Sequence, residues 1–311
     1  MKSCLLSVVI PHKDIPDLLR RCLERVPRRE DIQVIVADDC SLCDTGKLLE
    51  EWGFDNVELY RLPESGGGGA ARNIGLSKVR GEWVTFIDAD DYFTPAAEDV
   101  FNTLKDMPDD VDLVFCAACS VDCVNYTNSD RADWLNKHIA MYATDPKESE
   151  MRLRYTFGFQ CCKIARMEMI RKYGIHFDET PIHNDTKYSY TVGHYARKVS
   201  VDERALCTIT TRSGSVSKTL PEANKLHRIR IFGEEERFFV HHNIPLRYQI
   251  GFLWAQMARS RLENRQTYRR GCEILQGLGI KKTRIWLMTA KHMVRNSMVR
   301  MAKGILNRFP H

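Results

Sequence analysis

Gly81-Glu82-Trp83-Val84-Thr85-Phe86-Ile87-Asp88-Ala89-Asp90-Asp91 is the stretch on which the reading of this chain turns. Trp83 to Ile87 is a continuous apolar and β-branched run, as expected of a strand buried on both faces, and it ends abruptly in acid. Three carboxylates in four positions repel one another unless a cation sits among them. Carboxylate oxygens suit a hard divalent ion such as Mn²⁺ or Mg²⁺, which keeps coordination positions open for phosphate oxygens. A solvated turn with a helix cap is the plainer alternative, since Asp91 and Thr94 precede Pro95.

Working outward, the same design recurs upstream. Leu5 to Ile10 is a first apolar strand, closed by Pro11-His12-Lys13-Asp14. Ile32 to Ala37 is a second, ending in Asp38-Asp39-Cys40-Ser41. Val57 to Leu62 is a third, followed by the glycine run Ser65 to Gly69 and a helix over Ala70 to Val79. Helical patterns alternate with the strands at Pro16–Arg25, Lys47–Trp52 and Ala96–Leu104, and Asp112–Cys116 adds another strand. Alternation of this kind predicts an α/β domain with a mainly parallel sheet, whose ligands bind at the carboxyl ends of the strands. Three of those ends carry polar clusters. The polar segment Asn125 to Tyr155 reads as long loops.

The glycine run also admits a dinucleotide reading, because Gly66, Gly68 and Ala71 satisfy G-x-G-x-x-A. That would make the protein an oxidoreductase. The strand before it ends several residues too early, and four successive glycines satisfy many patterns.

Taken together, Ser7–Pro11, Val34–Ser41, Gly69–Leu76 and Gly81–Asp91 resemble glycosyltransferase family 2, inverting enzymes of the GT-A fold that use nucleotide-diphosphate sugars. The resemblance is strong over residues 5–105. It implies that Pro11 and Asp14 line a nucleotide-base pocket, usually for uracil. Asp39 would bind base or ribose with Asp38 beside it, and Arg72 and Asn73 would help hold the donor. Asp88-Ala89-Asp90 would be the D-x-D motif, with Asp90 the firmest ligand of Mn²⁺ or Mg²⁺. Lys13 stands where members usually carry an aromatic residue that stacks on the base. Downstream, Lys163–Arg166 and Tyr173–Glu179 resemble the segment before the acceptor-side acid, which places the catalytic base at Asp185. Asn184 occupies the position of the usual Glu, and an inactive sugar-nucleotide-binding module is the reading that this departure keeps open. Helix capping is the structural alternative for Asp185, and His183 is a rival base. Arg212 and Lys218 fall in a segment resembling a loop that closes over the diphosphate.

Composition sets the frame. The 311 residues are 43% hydrophobic and 28% charged, which excludes disorder and coiled coil as whole-chain descriptions. No apolar run approaches the roughly 20 residues a membrane span needs. Residues 1–220 carry 28 Lys and Arg against 35 Asp and Glu, whereas residues 221–311 carry 18 against 6. That shift predicts a catalytic domain over 1–219 (nucleotide-sugar binding to 105, acceptor side beyond) and a basic helical region over 220–311. Leu287, Val294, Met298, Met301 and Ile305 share one helical face in a tail without acid after Glu273. Such a helix predicts attachment to an anionic membrane surface, here the inner face from the cytoplasm, or packing on the domain. No nucleic-acid-binding motif accompanies the charge. The N-terminal apolar run lacks a cleavage site and reads as strand, so the eleven cysteines are expected to be mostly reduced and buried. Cys40-x-x-Cys43 and Cys116-x-x-Cys119 with Cys123 have zinc-like spacing, but Cys40 lies in the nucleotide motif and Cys116 in a buried strand. The expected acceptor is a glycan or a lipid-linked glycan.

Overall fold

The computed structural model describes residues 4–211, 222–249 and 252–306. The chain divides into two compact units, Met1–Ser215 and Val216–His311.

The first unit is built on one eight-stranded sheet. Its centre is β1 (Leu6–His12), flanked in parallel by β2 (Ile32–Asp38) and β4 (Trp83–Phe86). All of β2 and β4 is buried, which is why these strands read as largely apolar runs, broken by Gln33 and Thr85, rather than alternating ones. β3 (Val57–Arg61) is the half-exposed edge beyond β2. On the other side β7 (Lys163–Arg166) runs antiparallel between β4 and β6 (Val111–Asp122), β8 (Lys198–Thr211) is parallel to β6, and β5 (Tyr92–Phe93) closes the far edge. The order is β3-β2-β1-β4-β7-β6-β8-β5.

Helices α1 (Pro16–Glu24), α2 (Thr45–Glu51), α3 (Gly67–Ser77), α4 (Ala97–Thr103), α5 (Asp133–Met141), α6 (Pro146–Thr156), α7 (Met167–Tyr173) and α8 (Thr186–Tyr195) complete the unit. Two expectations need correction. Asn125–Tyr155 is largely helical, not loop: Asp145 caps α6 through the Glu148 N–H, Pro146 opens it, and only Leu135, Ile139, Leu153 and a few neighbours are buried. A helix that buries so narrow a stripe looks polar in sequence. The helix after β3 starts inside the glycine run, for a reason given below.

The second unit holds α9 (Glu222–His241), α10 (Phe252–Glu263), α11 (Arg265–Gly277) and α12 (Lys282–Leu306). Its own apolar core includes Ile229, Phe232, Met257, Leu275 and Ile285. Buried Glu236 on α9 accepts from Arg284, Gln249 and Trp254, so the charge the core encloses is paired. No helix among the described residues is long and apolar enough to cross a membrane.

Candidate active site

Immediately after β4 the chain leaves the carboxyl edge of the sheet. Ala89 is buried, so its two neighbours turn outward, and carboxylate oxygens of Asp88, Asp90 and Asp91 all lie within 4.8 Å of one another. Asp91 is 4% exposed and accepts the Thr210 N–H at 2.7 Å. Burial, reinforced by Asp88 and Asp90, raises its carboxyl well above the usual carboxylate range. This crowding fits a divalent cation: three hard oxygen donors converge, and they resist ionising together unless positive charge joins them. The backbone is braced from two elements, as the Asp90 carbonyl accepts from Thr210 Oγ1 and from Arg21 of α1.

Asp88 faces a second network. Its Oδ1 accepts from Arg72 Nη2 at 2.6 Å and from Gln160 Nε2 at 2.9 Å. Arg72, 7% exposed, also donates from Nη1 to Asn184 Oδ1 at 2.8 Å. Burial opposes its charge, but Asp88 and Asp185 outweigh that and raise its pKa. One guanidinium from α3 thereby joins the acid cluster to the residue before Asp185. The close packing needs glycine: a Cβ on Gly69 would fall 2.0 Å from the Asp178 carbonyl oxygen.

Asp185 occupies the N-cap position of α8, yet its side chain makes no capping hydrogen bond. The capping alternative therefore does not account for its carboxylate. Burial pushes this carboxyl up to about 6, with Arg72 pulling down and Asp88 pushing up. Asn73, by contrast, is engaged with protein: its amide brackets Phe177, accepting from the N–H and donating to the C=O, and also donates to Glu179. His183 lies in the left-handed backbone region, at φ 53°.

The cluster after β2 is organised differently. Asp38 is fully buried and accepts from the Ser41 N–H at 2.7 Å and Thr45 Oγ1 at 2.5 Å. Burial alone would raise its pKa, but these donors hold it below the usual range. Asp14 ties the same turn, accepting from the Leu42 N–H at 2.6 Å, while Pro11 is half-buried at the end of β1. Asp39 accepts from the Gly66 and Gly67 N–H groups at 2.7 and 3.0 Å, and from Ser65 Oγ. Those N–H groups open α3, so the carboxylate satisfies donors the helix cannot satisfy itself and starts it within the glycines. Gly67, at φ 82°, takes a backbone conformation other residues avoid. Lys13 Nζ reaches both Asp39, at 3.5 Å, and Ser65.

Two residues escaped the sequence reading. Gln160 gave no signal. Lys163 did, as a lone cation inside the apolar run Cys161–Ala165: it is 1% exposed, and burial brings its pKa down to about 7. Its ammonium donates to the Phe157 and Phe159 carbonyls at 2.7 and 2.6 Å, holding the segment that carries Gln160. All eleven cysteines are free thiols, but only Cys22, Cys116, Cys161, Cys162 and Cys207 are buried, fewer than expected. Arg212 and Lys218 lie outside the described residues.

Comparison with known proteins returns a consistent answer. The family model "Glycosyl transferase family 2" matches residues 7–174, more than half of the chain. EpsH of Bacillus subtilis, a protein named as a glycosyltransferase, is 28% identical over 212 residues, covering 64% of this chain and 59% of EpsH. TarS of Staphylococcus aureus, a poly(ribitol-phosphate) β-N-acetylglucosaminyltransferase, is 34% identical over 106 residues, or 32% of this chain and 18% of TarS. The match thus spans less than two thirds of each curated relative. The crystal structure of TarS residues 1–349 with UDP-GlcNAc superposes with a TM-score of 0.60 at 19% identity, covering 84% of this chain and 74% of that one. A mannosyltransferase from Pyrobaculum calidifontis, solved with GDP-Man and Mn²⁺, gives 0.56 at 15% identity, covering 94% and 86%.

Proposed function

The chain belongs to glycosyltransferase family 2, and from that premise we propose that it is a glycosyltransferase that makes an inverting transfer from a nucleotide-diphosphate sugar to a glycan or lipid-linked acceptor. The observation that carries this reading is the pairing of two carboxylate sites through Arg72. The acid cluster sits on one side of the guanidinium, and Asn184, leading directly to the uncapped Asp185, on the other. Family membership sets the dinucleotide reading of the glycine run aside.

In this reading Asp88 and Asp90, with Asp91 behind them, hold Mn²⁺ or Mg²⁺. The cation, when bound, supplies positive charge that stabilises the departing diphosphate. Asp185 accepts the proton of the acceptor hydroxyl as its oxygen attacks the anomeric carbon and the bond to phosphate breaks. A carboxylate near pKa 6 is ionised at neutral pH yet more basic than an ordinary aspartate, which suits that task. Asn184 in place of Glu does not remove the base. It keeps the hydrogen bond to Arg72 and so leaves the guanidinium oriented. TarS and the mannosyltransferase, solved with UDP-GlcNAc and GDP-Man, support a nucleotide-sugar donor, and the resemblance favours a UDP-linked one. A thermal-shift screen of nucleotide sugars with and without Mn²⁺ tests the reading, because a ligand of the native state raises Tm. A donor that stabilises only with metal, followed by turnover, is expected. Metal-independent stabilisation by a nicotinamide dinucleotide would overturn it.

The second unit supports attachment to an anionic membrane on the cytoplasmic side. On α12, Trp286, Leu287 and Val294 are exposed while Ile285 and Thr289 are buried. Eight basic residues and no acid follow Glu273. Each basic residue near such a surface contributes about 1 kcal/mol, screened by salt. Met298, Met301 and Ile305 have side chains outside the described set, as does Phe309. The intact protein is expected to float with anionic liposomes at low salt and less at high salt. Failure to float at low salt refutes the attachment.

A further inference from the structure

Phe159 is an aromatic residue held in solvent by a built support. It lies in the strap Phe157–Gln160 that joins α6 to β7. Side chains secure three successive carbonyls of this strap: Lys163 takes Phe157 and Phe159, and Ser189 Oγ takes Gly158 at 2.8 Å. The ring nevertheless remains 41% exposed. Phe157 meets it edge-on at 5.7 Å and stacks in turn on Trp134, 5.9 Å away with planes 2° apart. Trp134 is 38% exposed, and the Arg131 guanidinium lies 5.1 Å from the Phe159 ring centre. Exposed Phe159 and the partly exposed Trp134, which also stacks on His138 at 4.1 Å, are joined by buried Phe157 and flanked by a cation, and together form a shelf. Exposed apolar residues scattered singly need no explanation, but a supported row of them marks a binding surface.

Its position is specific. Gln160, the next residue, donates to Asp88, and Ser189 lies on α8, one turn beyond Asp185. In the strand order, β7 follows β4 on the side away from β2, which carries Asp38 and Asp39. The shelf thus borders the carboxylates between which transfer would occur, on the side of β4 away from Asp38 and Asp39.

We propose that Phe159, Trp134 and Arg131 form the acceptor subsite, and that it takes a saccharide carrying a negatively charged substituent. A sugar ring presents a flat face of C–H groups to an aromatic ring while its hydroxyls stay hydrated. A guanidinium resting on the same ring keeps its N–H fork for a carboxylate or phosphate. The assignment rests on the transfer reading above, and it adds the class of acceptor.

Calorimetric titration of the whole chain, with Mn²⁺ and UDP present, tests it with two probes: a hyaluronan tetrasaccharide, which is anionic, and tetra-N-acetylchitotetraose, which is neutral. The wild type should bind the anionic probe more tightly. Phe159→Ala should weaken both about tenfold, the scale of one aromatic contact, and Phe159→Trp should retain them. Arg131→Gln should erase the preference for the anionic probe and leave the neutral one unchanged. UDP affinity, measured on every variant, reports whether the nucleotide end is intact. The proposal is overturned if the wild type binds neither saccharide, or if Phe159→Ala binds both as well as wild type, as it would were the shelf a protein-docking surface. Saccharide binding as expected without turnover of any nucleotide sugar would instead sink the transfer reading and leave the shelf standing.

Discussion

The aspartates at the end of β2 and those that follow β4 look alike in sequence and sit in opposite surroundings. Asp38 and Asp39 are saturated with donors: a hydroxyl and an N–H on the first, two N–H groups, a hydroxyl and an ammonium on the second. Asp88, Asp90 and Asp91 face one another, and burial raises the innermost well above the usual range. A carboxylate surrounded by donors is a fastener for the backbone. Carboxylates surrounded by carboxylates would, under the proposed transfer, be a socket for a cation. Acidity alone does not distinguish them; the neighbours do.

The most severe way to break this contrast is Asp90→Ala. Transfer should be abolished, and with it the Mn²⁺-dependent rise in Tm that a nucleotide diphosphate gives. Undiminished metal-dependent stabilisation in that variant would mean that the β4 cluster is a fastener too.

Asp185→Asn sharpens the contrast by testing an acid that belongs to neither class. Donor binding should be nearly intact while turnover falls on the order of 10²-fold or more, the usual scale for a lost general base. The pH profile of the wild type carries the matching signature. Asp185 must be ionised to accept a proton, and burial lifts its pKa to about 6, so kcat should decline about tenfold per pH unit below about 6. An ordinary aspartate would hold the rate down to about pH 4. Near-native turnover in Asp185→Asn would shift the role, with His183 tested next.

The smallest effect is expected at the fastener. Asp38→Ala strands the Ser41 N–H and the Thr45 hydroxyl and should cost about 1–3 kcal/mol of stability, read from denaturant unfolding. Its folded-state pKa is depressed, so wild-type stability from this group is present at neutral pH and lost as pH falls through that value. Metal-dependent stabilisation should survive the substitution. Its loss would show that the β2 turn holds more than backbone.

These contrasts also mark what the amino-acid order discloses. Strands β1, β2 and β4 and the acidic ends of β2 and β4 were legible because burial on both faces writes a largely apolar run and acids interrupt it sharply. The clustering of Asp91 with Asp88 and Asp90 adds a third oxygen donor that the two-residue motif omits. Arg72 was legible as a site residue but not as a bridge, because its partners are 16 and 112 positions away. The start of α3 was misplaced because glycine propensity argues against helix, whereas Asp39 supplies the missing acceptor from another strand. Helices α5 and α6 were missed for their narrow buried stripes. Gln160 could not have been singled out, since a glutamine's role depends wholly on what the fold places opposite its amide.

The Arg72 bridge also bears on how far this protein can be taken apart. A guanidinium from the third helix donates through one Nη to residue 88 and through the other to residue 184, so the segments that carry these residues are not interchangeable parts. A chimera that imports the segment around α8 from a relative must bring a hydrogen-bond acceptor at position 184 that reaches Arg72, or leave a buried cation short of a partner. Residues 72, 88 and 184 are therefore grafted as a set, whereas exposed Phe159 and Trp134 can be varied without touching the bridge.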